Sequence, residues 1–153
     1  MEFKGDYTFH GTPSAVFDTL TSPAALQRSI HGCEEFREVA PGQFRITLAV
    51  SIVVSTIRVS ADVSLGEFDR PASYRLQASG SGSAGSLAID GRFRLAPAPE
   101  GTLVNYTLAV ETTGALSMLG GPIIEPTVKL IMGQTFGALD KELEQAPEGA
   151  AAP

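Results

Sequence analysis

Cys33 is the single cysteine of the chain and lies two positions after His31. A reactive thiolate needs a cationic neighbour or a helix N-terminus to lower its pKa. His31 is near in sequence, but Glu34 and Glu35 follow at once and oppose thiolate formation. Cys33 therefore reads as a structural turn residue and His31 as a surface histidine with no general-base partner. His10 falls on the outward side of an alternating stretch and reads as solvated. Two histidines far apart in sequence and one cysteine make a poor Cys/His ligand set, so no metal site is expected. The glycine-rich run from Ala78 to Gly85 lacks the Lys-Ser/Thr ending of a phosphate loop. It leads into a strand, so no helix N-terminus awaits a phosphate, and a flexible hairpin connection is expected. Arg92 and Arg94, with Arg75 across the sheet, are candidates for a small basic patch; the plainer reading is a solvated sheet face. Tyr7, Tyr74 and Tyr106 share parity with the apolar residues around them and would carry hydroxyls inward. No inward His, Asp or Glu falls on a strand, so no acid–base pair and no catalytic residue is assigned.

The elements that position these residues are legible from periodicity. Residues 2–10 alternate, with Phe3, Gly5, Tyr7 and Phe9 on one side, as a half-buried strand does. Thr12-Pro13 and Ser22-Pro23 are two N-cap signals, each with proline at the first helical position, and open two short helices. From Cys33 onward the pattern alternates again. Phe44, Ile46, Leu48, Val50 and Ile52 share one side, followed by Ile57, Val59, Ala61, Val63 and Leu65. A single strand over 43–65 would be too long for one domain, so a reversal is expected near Val53–Thr56. Further alternating runs cover 74–78, 87–95 and 104–110, separated by turns at 67–71 and 97–101. Leu119, Ile124, Val128, Ile131, Met132, Phe136, Leu139 and Leu143 then follow helical spacing, with Lys129, Gln134 and Asp140 on the opposite side. Residues 1–145 read as one domain and 146–153 as a disordered tail. Gly120-Gly121-Pro122 and Glu125-Pro126, at the entry to the long helix, make that end a candidate hinge or lid.

Composition narrows the function classes. The chain has 153 residues, 43% hydrophobic and 18% charged, and a formal charge of −6. That balance excludes a disordered chain and argues against a nucleic-acid partner, which selects a basic face. The N-terminus has no apolar h-region, and the greasy stretch from Ala115 to Leu139 is interrupted by Gly120-Gly121-Pro122, Pro126 and Lys129. A cytoplasmic protein with at most peripheral membrane contact is expected. A long amphipathic helix must bury its stripe, and the apolar side of the sheet is the available partner. A curved sheet wrapped on a helix can leave an apolar cavity. The inward set is Val50, Ile52, Val59, Leu76, Phe93 and Tyr106 from the sheet, with Leu119, Ile124, Val128, Met132 and Phe136 from the helix. On pattern alone these residues read as a packed core.

Several local stretches, in this order, resemble a known family. They are Phe3-Lys4-Gly5-Asp6-Tyr7, Pro13-Ser14-Ala15-Val16-Phe17-Asp18-Thr19-Leu20, Ser22-Pro23-Ala24-Ala25-Leu26, Ile30-His31-Gly32-Cys33-Glu34 and Arg70-Pro71-Ala72-Ser73-Tyr74, with the glycine-rich run 80–85. Together they resemble the carbon monoxide dehydrogenase G-subunit family, within the START/Bet v 1-like (SRPBCC) superfamily. His31 stands where that family carries proline, and Val53-Val54 where it often has a Gly-Pro turn. The resemblance implies an α+β helix-grip fold, with a curved antiparallel sheet of about six to seven strands wrapped on the C-terminal helix. It turns the reading of the inward set from packed core to ligand cavity. It also implies a non-catalytic accessory role beside a molybdenum-containing dehydrogenase, with a quinone or lipid as bound ligand and no covalent cofactor. Recruitment of that enzyme to the inner face of the membrane belongs to the same implication. The alternatives are a general carrier of hydrophobic ligands and a cyclase or dehydratase on the same fold.

Overall fold

The structure is a computed structural model and describes residues 1–52 and 55–145. Strand β1 (Glu2–Phe9) leads into α1 (Pro13–Leu20) and α2 (Pro23–Ser29). Both helices start where the proline signals place them. Thr12 Oγ1 accepts the Ala15 N–H at 3.2 Å, and Ser22 Oγ accepts the Ala25 N–H at 3.3 Å. Six strands follow: β2 (Cys33–Ala40), β3 (Gln43–Ile52), β4 (Ser55–Asp69), β5 (Ser73–Gly82), β6 (Gly85–Ala98) and β7 (Gly101–Thr112). A short helix α3 (Ala115–Leu119) and a long helix α4 (Gly121–Gln145) end the described chain. The reversal expected near Val53–Thr56 falls between β3 and β4, but residues 53 and 54 lie outside the described residues, as does the expected tail 146–153.

The seven strands form one antiparallel sheet in the order β1-β7-β6-β5-β4-β3-β2. Each strand from β2 to β7 neighbours its sequence successor, so short hairpins suffice; only β1 pairs at a distance, with β7. At about 3.3 Å per residue the 14 residues of β6 would extend about 46 Å if straight. A domain of this size is narrower than that, so the long central strands must coil. Their concave side carries the apolar parity and receives the helices. The glycine-rich run is less of a loop than its composition suggests, because β5 continues through Gly82 before the hairpin.

The core is sealed where β1, β6, β7, α1 and the second half of α4 meet. Phe9, Val16, Phe17, Val104 and Leu139 are fully buried there, and Val110 is fully buried toward the other end of β7. Here the structure departs from the sequence reading at two residues. Asp140, expected on the solvent side of α4, is buried and turned toward the end of β1. Its Oδ1 accepts the His10 backbone N–H at 2.9 Å, and its Oδ2 lies 2.8 Å from His10 Nδ1 and 3.4 Å from the Tyr7 hydroxyl. His10 is therefore tied to the helix rather than free in solvent. Its hydrogen bond to Asp140, reinforced by that carboxylate's charge, raises the imidazole above its ordinary pKa.

Of the two readings of Arg75, Arg92 and Arg94, the solvated sheet face fits Arg75 and Arg92 better than a basic patch. Arg75 and Arg92 stand directly opposite on β5 and β6. Like charges in that position repel, and carboxylates intervene. Arg75 donates to Asp90 at 2.8 and 2.6 Å and to Glu67 at 2.7 Å, while Arg92 reaches the same Glu67 at 3.5 Å. The convex side of the sheet is thus a neutralised network. Arg75 holds both Asp90 and Glu67 below the ordinary carboxylate range, chiefly through these hydrogen bonds.

Candidate ligand groove

Burial divides the predicted inward set in two. Phe93, Tyr106, Ile124 and Phe136 are buried. The three aromatic rings touch one another, with centroids 6.0 Å apart for Phe93–Tyr106, 5.8 Å for Tyr106–Phe136 and 6.4 Å for Phe93–Phe136. Tyr74 stacks on Phe93 at 4.8 Å, and Tyr7 and Phe9 close on Phe136. These rings are mutually packed core around the middle of α4. Val50, Val59, Leu76, Leu119, Val128 and Met132 are only half-buried. The side chain of Ile52 lies outside the described residues.

The half-buried residues share the concave side with others that the alternation marks but the predicted set omitted: Leu48, Ile57, Leu87 and Ile89. Leu48 pairs with Val59 and Val50 with Ile57 across β3 and β4. The closest approaches of α4 are to α1, α2 and β1. Val128 and Met132 in its first half, with Leu119 just before it, keep some access to solvent. Leu48, Leu76, Leu87, Ile89, Leu119, Val128 and Met132 pack against the buried core while keeping some access to solvent, and Val50, Ile57 and Val59 lie beyond it on β3 and β4; these residues define a candidate groove between α3–α4 and this part of the sheet. Strict parity counting would have found Leu48 and Ile57. No local signal separates a half-buried residue from a fully buried one on the same side of a strand.

The first turns of α4 are irregular in their hydrogen bonding. Pro126 lies inside the helix and has no N–H to donate to the Pro122 carbonyl. One residue further along, Thr127 Oγ1 donates to the Ile123 carbonyl at 2.9 Å. Gly114 and Gly120, at φ 69° and 68°, bracket α3 in the left-handed region where glycine carries no steric penalty. Leu116 anchors α3 in the core, whereas Met118 on the same turn is 87% exposed. These are the residues that the sequence marks as a candidate hinge, and an irregular helix start accounts for them equally.

The polar groups nearest this interior are phenols. Burial raises the pKa of Tyr74 and, with a smaller contribution from Asp6, that of Tyr106, against an opposing pull from Lys129. Both remain protonated donors at neutral pH. The Tyr7 hydroxyl is committed to Asp140, and burial followed by that carboxylate raises its pKa too. Cys33 is half-buried, and its thiol donates to the Glu35 carbonyl at 3.3 Å. Burial pushes that thiol up, which makes it a poor nucleophile, and His31 is exposed in the adjoining turn.

A concavity of about 590 Å³ lies on the other side of the sheet, against Asp62, Ser64, Gln77, Ser79, Asp90 and Glu111. It is open, and Ala78, Ala88, Ile89 and Ala109 line it beside these polar residues. Its open shape and its carboxylates make it a poor enclosure for an apolar ligand, so the aliphatic residues of the concave side are the better candidate. No helix among the described residues is long and apolar enough to cross a membrane.

The fold has many solved counterparts. A conserved protein from Geobacillus kaustophilus superposes with a TM-score of 0.87 at 24% identity, covering 93% of this chain and 94% of that one. A START superfamily protein from Mycobacterium smegmatis gives 0.74 at 14% identity, covering 94% and 97%. A protein from Rhizobium leguminosarum gives 0.72 at 14%, covering 93% and 95%. At these identities the likeness establishes the START-like fold and nothing finer. No curated protein matches the chain. The sequence model of one family matches residues 5–144, from the first strand nearly to the end of α4. With its seven-stranded antiparallel sheet, paired short helices and long C-terminal helix, the chain belongs to the carbon monoxide dehydrogenase G-subunit (CoxG) family.

Proposed function

We propose that this protein is a non-catalytic accessory protein that holds a hydrophobic small molecule in the groove between α3–α4 and the concave sheet. One observation carries the reading: aliphatic side chains on both walls, among them Val50, Val59, Leu119, Val128 and Met132, are only half-buried in a domain otherwise sealed at its core. Exposed apolar surface costs about 25 cal/mol per Å², and a ligand that covers it recovers that free energy. The walls offer shape and apolar contact with neutral phenols behind them, which suits binding rather than acid–base chemistry.

The family name supports a finer assignment. The ligand would be a quinone, and the partner a molybdenum-containing dehydrogenase of the carbon monoxide dehydrogenase type, met at the inner face of the membrane. Metal and redox chemistry would then belong to the partner, while this chain supplies the pocket and its orientation.

Native mass spectrometry of the chain from its own host, with the released ligand identified, tests the binding reading. Val128→Trp would fill the groove from the helix side at a half-buried position. Uptake of a quinone or lipid is expected to fall at least tenfold while the thermal midpoint changes little. A chain that takes up neither, or a filled variant that binds as well as the parent, overturns the reading. Co-purification with a molybdenum enzyme tests the partnership separately.

A further inference from the structure

His10 and Glu144 stand on either side of a buried carboxylate, Asp140, at the end of the molecule away from the groove. His10 Nδ1 lies 2.8 Å from Asp140 Oδ2 and 3.3 Å from Glu144 Oε1, and the three donor atoms all fall within 4.8 Å of one another. Asp140 and Glu144 are four residues apart on α4, so their side chains share one side of the helix. His10 reaches them from just beyond β1. The pairing spans 130 residues, which is why spacing along the chain hides it.

Three features distinguish this cluster from an ordinary surface ion pair. Asp140 is only 7% exposed, yet its Oδ2 points at the open side, where His10 and Glu144 are each about half exposed. Its other oxygen is already held by the His10 backbone N–H, with the Tyr7 hydroxyl beside Oδ2. Outer hydrogen bonds that fix a ligating carboxylate in this way are the usual support of a metal ligand. The charge is also unbalanced. Two carboxylates face one imidazole, and Glu100 adds to the negative field at that ring. One proton on His10 neutralises half of the pair; a divalent ion neutralises all of it.

We propose that His10 Nδ1, Asp140 Oδ2 and Glu144 Oε1 form a site for a divalent transition-metal ion that staples the second half of α4 to the end of β1. The distances suit such an ion. Metal–ligand bonds of about 2.0–2.1 Å in tetrahedral array separate donor atoms by about 3.4 Å. The His10–Glu144 gap already matches, the His10–Asp140 gap need widen by only a few tenths of an ångström, and exposed Glu144 is free to rotate. One imidazole and two carboxylates suit zinc, nickel and cobalt better than calcium or magnesium. Water completes the coordination from the open side. Binding displaces the proton from His10 Nδ1 to solvent, so uptake weakens as pH falls. The staple would act on α4, whose first half walls the groove, but the three ligands lie outside the groove and would bind the ion whether or not it holds a ligand.

The full chain, stripped with a chelator and titrated with zinc chloride by calorimetry, gives the test. One ion per chain is expected, with a rise of about 5 °C in the thermal midpoint at a hundredfold excess over Kd. Glu144→Ala, an exposed change that should leave folding intact, is expected to lower affinity at least tenfold. His10→Asn should abolish binding, while His31→Asn and Cys33→Ser should leave it unchanged. Absence of binding, or binding that survives Glu144→Ala and His10→Asn, overturns the site and leaves an ion pair only. Binding lost in His31→Asn or Cys33→Ser overturns it equally.

Discussion

Gly5 shows how one residue on a concave sheet is chosen by its neighbour. It pairs with Tyr106 across β1 and β7, and the phenol ring of Tyr106 lies over it. A Cβ at position 5 would enter that ring, with Cε1 at 2.9 Å and the hydroxyl end closer still. Gly5→Ala is therefore expected to cost about 1–3 kcal/mol, the usual range for overpacking. In a Tyr106→Leu background the same change should cost clearly less, because the obstructing ring is gone. Urea unfolding of the two single variants and the double variant measures the coupling, and strict additivity would contradict it. Phe136 is the complementary case. Its ring meets those of Tyr7, Phe9, Phe93 and Tyr106, so Phe136→Ala removes the hub of the aromatic core. A loss of about 3–5 kcal/mol is expected in the same assay.

Helices α1 and α2 are too short to persist alone and depend on their first turns and on docking. Thr12→Ala and Ser22→Ala each remove a side-chain acceptor from an orphan N–H, and each should lower stability by about 1 kcal/mol. Chemical denaturation of each variant checks this. At α4 the prediction runs the other way. Pro126→Ala restores the N–H that the Pro122 carbonyl lacks and removes a residue costing about 3 kcal/mol in a free helix interior. The variant should raise the thermal midpoint and slow amide exchange from Leu116 to Val128. Unchanged exchange there would mean that the glycines at 114 and 120, rather than the proline, set the looseness of this end. Addition of a bound ligand should slow the same amides if α3 and the first turn of α4 act as a lid.

Across the whole sheet, the convex side is held by charge pairs that join β4, β5 and β6 through Arg75. Asp90 and Glu67 have lowered pKa values in the fold, so they bind fewer protons folded than unfolded near pH 4. Their contribution is present above the ordinary carboxylate range and is lost as pH falls through the lowered folded values. Arg75→Gln should therefore flatten the acid limb of the stability–pH profile and return Asp90 toward its ordinary value in a carboxyl NMR titration. Both carboxylates are solvent-exposed, so the change at neutral pH should be small. An acid limb identical to the parent's would show that other carboxylates govern it.

The order of elements was readable from the chain because each signal is local. Thr12-Pro13 and Ser22-Pro23 start their helices wherever they fall, and alternation from Phe44 to Leu65 marks one side of a strand whatever packs on it. The inward parity of Tyr74, Phe93 and Tyr106 follows from the pleat alone. What alternation cannot carry is depth. Phe93 and Val59 have equal claim to the inside, yet one is core and the other stands half open, because depth depends on where a helix far along the chain comes to rest. The same limit hid His10 and Asp140. Each is polar at a position that periodicity assigns to solvent, and only the docking of α4 on β1 brings them to 2.8 Å. Local chemistry decides which elements form; the path of the chain in space decides which of their side chains meet.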